Sequence, residues 1–460
     1  MKPLVLRPIQ KPMIDWAWEH KRCAIWAGMG SGKTSAMEYL IELLKLCGQV
    51  GGSDEPWLIL GPMRVARDVW PEDMARWEQF SHTNIVALTG TPRQRADKLK
   101  SKAAIFTISY ELAPWLVDHF GDKWPFRYVI ADESDRLKGF RLNRGGQRAR
   151  ALGRIAHNMT DRWINLTGTP SPNGLKDLWG QTWYLDKGQR LGRTYSAFCD
   201  RWFRQDWSGF GIEPMPHADK EIHAALEDIC ITVDPKDYFD LKEPIVTQIK
   251  VKLPEAARKI YKQLEKDLFA KLADGEEVAA YNAAALTNKC LQLANGAVYT
   301  DYPNWSAVHD EKIAALESIV SESGGVPLLV AYSFKSDCAR IKQAFPKAVE
   351  LSTDDGMRAF RSGNAPLGLA HPKSMGHGID GLQRITNILV RFGHDWNLGE
   401  RMQMLERVGP MRQLQSGFDR PVWVYDIIAS DTIDEDVVEC HVNKRSVQDA
   451  LLEAMKRRAN

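Results

Sequence analysis

Ala27 to Thr34 read A-G-M-G-S-G-K-T, with an apolar run, Cys23 to Trp26, in front and an amphipathic run, Ser35 to Leu46, behind. The alternating glycines Gly28, Gly30 and Gly32 let the backbone curl tightly, so that successive N–H groups, those around Ser31 included, can face one anion. Lys33 stands within reach of terminal phosphates, and the Thr34 hydroxyl can join a magnesium shell. The order strand, glycine turn, helix predicts a phosphate loop, because the positive end of the helix adds to the same field. A plain glycine turn with an exposed lysine would leave that agreement unexplained.

Three further groups carry chemistry that fits the loop. Phe126 to Ala131, a buried-strand run, ends in Asp132-Glu133-Ser134-Asp135. Carboxylates at the carboxyl end of a parallel strand stand where such sheets bind ligands. Asp132 can hold magnesium and Glu133 can polarise an attacking water. Trp163 to Leu166 run into Thr167-Gly168-Thr169-Pro170, whose hydroxyls can hydrogen-bond those acids. Upstream, the Gln10 amide, in L-R-P-I-Q, offers both a donor and an acceptor to an adenine edge.

These groups demand an α/β scaffold with several parallel strands ending at one level. Trp57 to Gly61, Ala103 to Ile108, Pro327 to Tyr332, Leu367 to Ala370, Ile388 to Phe392 and Val422 to Ile428 supply further short apolar runs. Val65 to Phe80 and Pro254 to Phe269 read as helices, and residues 174–301 as a largely helical connector with one strand, Ile245 to Leu253. A charged helix, Asp434 to Arg458, is expected last. The 460 residues allow two to four domains of ordinary globular composition. A formal net charge of +2 makes no independent case for nucleic acid, so any basic track must be local. Seven cysteines without a C-x-x-C pair read as reduced core thiols of a cytosolic protein. The first ten residues, broken by Pro3 and Pro8, have no apolar core of a signal peptide, and no run is long enough to span a bilayer.

The form A-x-x-G-x-G-K-T resembles motif I of superfamily-two helicases and translocases. Other stretches extend the resemblance in a fixed order, towards the Swi/Snf-like branch. L-R-P-I-Q is similar to its Q motif. Pro62-Met63-Arg64 and Ser109-Tyr110-Glu111 resemble motifs Ia and Ib. Asp132-Glu133 and L-T-G-T-P resemble motifs II and III. Ser333-Phe334 resembles motif IV, and Ser374-Met375-Gly376-His377-Gly378, with Leu382-Gln383, resembles motif V. Gln403, Arg407 and Gln413 fall where motif VI places them. Two positions depart from the family. Leu398 replaces the proline of W-N-P-G, and Pro410 stands where a second arginine belongs, which leaves Arg412 as the nearest candidate. Small Swi/Snf-like proteins of bacteriophages and prophages have a similar E-R-x-G-P-x-R-Q ending.

The resemblance implies two tandem RecA-like α/β lobes, about 1–238 and 239–460, with helical insertions and ATP in the cleft between them. Gln10, Gly30, Ser31, Gly32, Lys33 and Thr34 would hold ATP, and Thr34 and Asp132 the magnesium. Lys33, Glu133, Arg407 and Arg412 would act in hydrolysis, the helix after motif V ending near Gly409 and a turn through Pro410 and Met411 returning Arg412 to the nucleotide. Thr167, Thr169 and Gln403 would couple the nucleotide state to movement. Arg64, Ser109, Ser374, Gly376 and His377 would touch a nucleic-acid backbone. The implied activity is ATP-driven translocation on duplex or branched DNA, in the cytoplasm of a bacterial cell, a phage-infected host included. Targeting would come from the core surface or a protein partner, with no membrane involved. A strand-separating helicase and a nucleotide-gated binding protein are the alternatives, and an intact Glu133 weighs against the second.

Overall fold

A computed structural model of the chain describes residues 3–28, 30–50, 54–142, 146–172, 174–205, 212–273, 280–300, 303–375 and 381–443. The chain divides into two compact units, Met1–Asp240 and Leu241–Asn460.

The first unit is built on strands β1 (Arg22–Ala27), β2 (Trp57–Gly61), β3 (Ile85–Ala87), β4 (Ile105–Ser109), β5 (Tyr128–Asp132) and β6 (Arg162–Thr167). A hairpin follows, β7 (Phe203–Gln205) and β8 (Ile212–Pro214), and then β9 (Cys230–Val233). Seven of these form one parallel sheet in the order β3-β4-β2-β5-β6-β1-β9. Strands β2, β4, β5 and β6 are buried at every position, which is why their sequences are continuous apolar runs rather than alternations. The helices that flank the sheet are α1 (Gln10–Glu19), α2 (Lys33–Leu46), α3 (Trp70–Arg76), α4 (Pro92–Lys98), α5 (Ala113–Phe120), α6 (Gln147–Ala156) and α7 (Asp177–Asp186). Every residue of α7 is buried.

Two stretches differ from the sequence expectation. Residues 174–301, read as helical with one strand, also hold β7, β8, β9 and a short strand at Ala297–Tyr299, because runs of three or four residues are too few to show a period. Val65 to Phe80 is not one helix. It opens as a π-helical turn, Val65–Val69, continues as α3 and ends in a 3₁₀ turn, Glu78–Phe80. Pro71 explains the opening. Its ring lacks an N–H and collides with the carbonyl four residues back in a regular helix, so the backbone widens there.

The second unit holds β10 (Ile245–Val251), the hairpin β11 (Ala297–Tyr299) and β12 (Trp305–Ala307), then β13 (Leu328–Ala331), β14 (Val349–Glu350), β15 (Leu367–Ala370), β16 (Ile388–Arg391) and β17 (Trp423–Ala429). Its parallel sheet runs β10-β17-β16-β13-β15-β14, with one apolar core on each face. These are the two RecA-like α/β lobes expected. Five of the seven cysteines are buried; Cys47 is exposed and Cys199 half-buried, so those two are not core thiols. Among the described residues no helix is long and apolar enough to cross a membrane.

Candidate nucleotide-binding and hydrolysis site

Sheet register brings three motifs of the first unit to one level. Trp26 pairs with Thr167, and Asp132 pairs with Leu166, so the ends of β1, β6 and β5 lie side by side. The phosphate-loop residues, the acids and the T-G-T-P turn all leave the sheet at that edge.

The loop has the shape its glycines predict. Gly30 and Gly32 take positive φ of 78° and 84°, and Gly32 is the N-cap of α2. Lys33 lies across the loop, its Nζ donating to Ala27 O at 2.6 Å and Gly28 O at 3.2 Å. Thr34 sits half-buried in the first turn of α2. Ser31 is buried, and among the described residues its Oγ has no hydrogen-bond partner. A cradle of this form, with a buried hydroxyl and an ammonium over it, fits a polyphosphate.

Gln10 is placed differently from the expectation. It is buried, its Oε1 accepts from Arg7 N at 2.8 Å, and its Nε2 donates to Gly32 O at 3.0 Å and Ser35 Oγ at 2.9 Å. Its amide braces the loop instead of presenting both edges outward. Arg7, which the sequence reading passed over, adds a bond from Nη1 to Gly30 O at 3.2 Å. The φ of 84° favours a glycine at position 32, and a Cβ there would also press on the tips of Arg7, at 2.2 Å, and Gln10, at 2.7 Å.

At the end of β5, Asp132 is held from three sides. Its Oδ2 accepts from Trp70 Nε1 at 2.9 Å, its Oδ1 from Glu133 N at 3.0 Å, and its carbonyl from the Tyr110 hydroxyl at 2.8 Å. Glu133 is buried at φ 53°, a left-handed conformation costly for a non-glycine residue. Burial and the Glu133 charge push the Asp132 carboxyl upward, against Lys33 and the Trp70 indole. The same causes raise Asp135 to about 7. Carboxylates crowded into one buried turn are what a divalent cation relieves, so the donor set fits magnesium, with Asp132 and Thr34 to hold it.

Thr167 does not reach the acids directly. It is buried and its Oγ1 accepts from Thr169 N at 3.1 Å, closing the turn on itself. The link to the acids runs through Gln181, on α7, which the sequence gave no reason to single out. Ser134 Oγ donates to Gln181 Oε1 at 3.3 Å, and Gln181 Nε2 donates to Pro170 O in the T-G-T-P turn. Helix α7 comes this close because residue 180 is glycine; a Cβ there would lie 2.4 Å from Lys138 O.

In the second unit the helix Leu398–Glu406 carries Gln403, half-buried, and is capped by Arg407, which is 3% exposed. The expected turn through Pro410 and Met411 is absent. Gly409 caps a new short helix, Pro410–Gln415, with Pro410 in its first position, where a missing N–H costs nothing. Arg412 stands half-buried in that helix's first turn. Gln413 is a buried staple, donating to Thr386 O at 2.9 Å and Val408 O at 3.0 Å.

The expected nucleic-acid contacts separate. Arg64 is exposed at the entrance of the π-helical turn. Ser109 is buried at the end of β4, so its hydroxyl faces the core, and that assignment is corrected; Glu111 is the exposed residue of the turn. Ser374 is exposed, with its Oγ donating to His371 O at 2.8 Å. Gly376 and His377 lie outside the described residues. Trp70 and Gln181 gave no signal because a buried aromatic or amide on a helical period looks the same whether it packs or positions, and Tyr110, in the turn after β4, gave none for a contact with Asp132.

Comparison with known proteins agrees with this geometry. The chain is 48% identical, over the full length of both, to protein p41 of Acyrthosiphon pisum secondary endosymbiont phage 1. It is 24% identical to Helicase SWR1 of Saccharomyces cerevisiae over 63% of this chain, spanning 19% of that protein's length. The crystal structure of the Pyrococcus furiosus Hef helicase domain shares the fold, with a TM-score of 0.51, 14% identity, and coverage of 96% of this chain and 98% of that one. The sequence model of the SNF2-related domain matches residues 10–296, from the glutamine that braces the phosphate loop to the end of the helix before β11. On that match, and on the order of motifs along the two sheets, the chain belongs to the SNF2-related family.

Proposed function

We infer that the protein is a DNA-stimulated ATP hydrolase that moves along, or remodels, double-stranded or branched DNA. The observation that carries this reading is the alignment at one sheet edge of Lys33, the Asp132-Glu133 pair and the Thr167–Thr169 turn, behind a glycine loop shaped for phosphates. Lys33 and the loop N–H groups grip the phosphates, and Asp132 and Thr34 hold magnesium. Bound magnesium neutralises charge on the phosphoryl oxygens. Glu133, fixed by its strained backbone, orients and polarises the water. Arg407 and Arg412 supply cations for the transition state. The Thr167–Thr169 turn and Gln403 report the nucleotide state, and Arg64 engages the DNA backbone. The similarity to Helicase SWR1 is consistent with this activity.

The test is the ATPase rate measured in parallel without nucleic acid and with single-stranded DNA, duplex DNA, forked DNA and RNA. The reading expects a several-fold rise with duplex or forked DNA. A flat rate would overturn it in favour of a nucleotide-gated binding protein, and strand displacement on the fork would identify a helicase.

A further inference from the structure

The turns after β2 and β4 both lead to a bond with Asp132. The chain leaves β2 through Pro62, Met63 and Arg64, the last two exposed, and enters the π-helical turn. That turn is held by Thr107, whose Oγ1 donates to Ala66 O, and it closes with the bond from Trp70 N to Val65 O. Trp70 follows at once, 0% exposed, and its indole N–H is spent on one oxygen of the Asp132 carboxylate. The second turn leaves β4 at Ser109. Tyr110, 1% exposed, donates its hydroxyl to the Asp132 carbonyl. That carbonyl belongs to the peptide leading into Glu133, whose φ is 53°. The first aromatic therefore orients the carboxylate, and the second orients the peptide plane that aims Glu133.

Neither bond is needed to fill the core. A phenylalanine would pack at position 110, and an apolar ring at position 70. Each polar tip instead fixes one rotation: the Asp132 side chain by Trp70, and the Asp132–Glu133 peptide by Tyr110. Arg64 stands exposed at the entrance of the π-helical turn and Trp70 N closes it, so a ligand held at Arg64 bears on the segment that carries the Asp132 contact, and π-helical turns recur at functional sites.

We propose that Trp70 and Tyr110 are positioning residues that make the Asp132-Glu133 pair responsive to DNA held at Arg64, in the turn after β2. The proposal rests on the reading of the chain as a DNA-stimulated ATP hydrolase. Coupling between two sites is a free energy that either ligand can read, so it has a binding signature as well as a kinetic one.

The experiment uses the full chain with Trp70→Phe and Tyr110→Phe, which keep the rings and remove the donors, and Arg64→Ala. Two quantities are read: the ratio of duplex-stimulated to basal ATPase, and the change in affinity for a fluorescent duplex oligonucleotide when magnesium and a non-hydrolysable ATP analogue are added. Trp70→Phe is expected to lower the stimulation ratio about fivefold or more and to shrink the nucleotide-induced affinity change by a similar factor. In an Arg64→Ala background, Trp70→Phe should add little further loss, because the two act in one chain of contacts. If Trp70→Phe is poorly folded, Tyr110→Phe decides on the same two readouts. A stimulated wild type whose ratio and linkage survive in the variants overturns this proposal alone. A wild type with neither stimulation nor linkage overturns the functional reading, and this proposal with it.

Discussion

Lys33 and Glu133 divide binding from turnover. Lys33 spans the loop carbonyls, so Lys33→Ala should abolish hydrolysis together with nucleotide affinity. Glu133→Gln keeps the shape of the turn and removes the charge. It should bind nucleotide normally and lose about 10²–10⁴ in turnover, as single-turnover kinetics beside equilibrium binding would show. Gly32→Ala places a methyl group at φ 84° against Arg7 and Gln10, and should weaken nucleotide binding about tenfold or more by titration. Arg407→Ala and Arg412→Ala should each lose about three orders of magnitude in turnover with little change in ATP affinity, because a transition-state contact adds little to ground-state binding. Wild-type turnover of Arg412→Ala on saturating DNA would remove Arg412 from the mechanism and leave Arg407 alone.

At the scale of elements, buried polar hubs join turns that packing alone would leave independent. Gln181 is one, joining the acid turn to the T-G-T-P turn. Lys312 is another, on the helix Glu311–Glu322. Its Nζ is fully buried, paired with Asp434 Oδ2 at 2.6 Å, and donates to Asn295 Oδ1 at 2.8 Å and Phe392 O at 3.1 Å. Asn295 passes the contact to Asp337, whose Oδ2 accepts from Ser333 N and Phe334 N, the motif IV turn. Lys312→Met leaves Asp434 buried without its partner. It should destabilise the second unit by about 3–5 kcal/mol, read as a lowered unfolding transition in calorimetry.

For the whole molecule, the two units should respond to acid in opposite senses. In the second unit, burial depresses His309 and His394 to about 4 and His441 to about 3, and these three outweigh Asp337, raised to about 6, and Asp395, also raised, which burial shifts the other way. Unfolding lets these rings take up protons below their ordinary range, so their contribution is complete above about pH 7 and is lost as pH falls from about 6.5 towards 4. Asp426, between Arg391 and Arg401, is held at about 2, and its contribution is lost only below about pH 4. In the first unit, burial raises Glu38, Asp132 and Asp135 and lowers one histidine, His157, so the carboxyls dominate. There the folded state binds protons that the unfolded state releases, so these groups add stability as pH falls from about 7 to 5. Calorimetry from pH 8 to 5 without magnesium should show the transition that Lys312→Met identifies moving down relative to the other. DNA affinity, resting on phosphate contacts, should fall steeply with salt and depend little on sequence.

The sequence by itself determined the parallel sheets, the phosphate loop and the acids after β5. Local geometry suffices for each: glycines at the positive-φ positions Gly30 and Gly32, continuous apolar runs for strands buried on both faces, and carboxylates directly after such a run. It also led to Arg407, which caps the helix that carries Gln403, whereas Gln413 falls in a second helix and staples it to Thr386 and Val408. Only the tertiary structure decided where side chains point. It turned Ser109 inward, gave the Gln10 amide to the loop, began a helix at Pro410 where a turn was expected, and brought Trp70, Tyr110 and Gln181 to the acids from 62, 22 and 47 residues away. Contacts at such separations follow from strand order and helix approach, and no local period in a sequence encodes either.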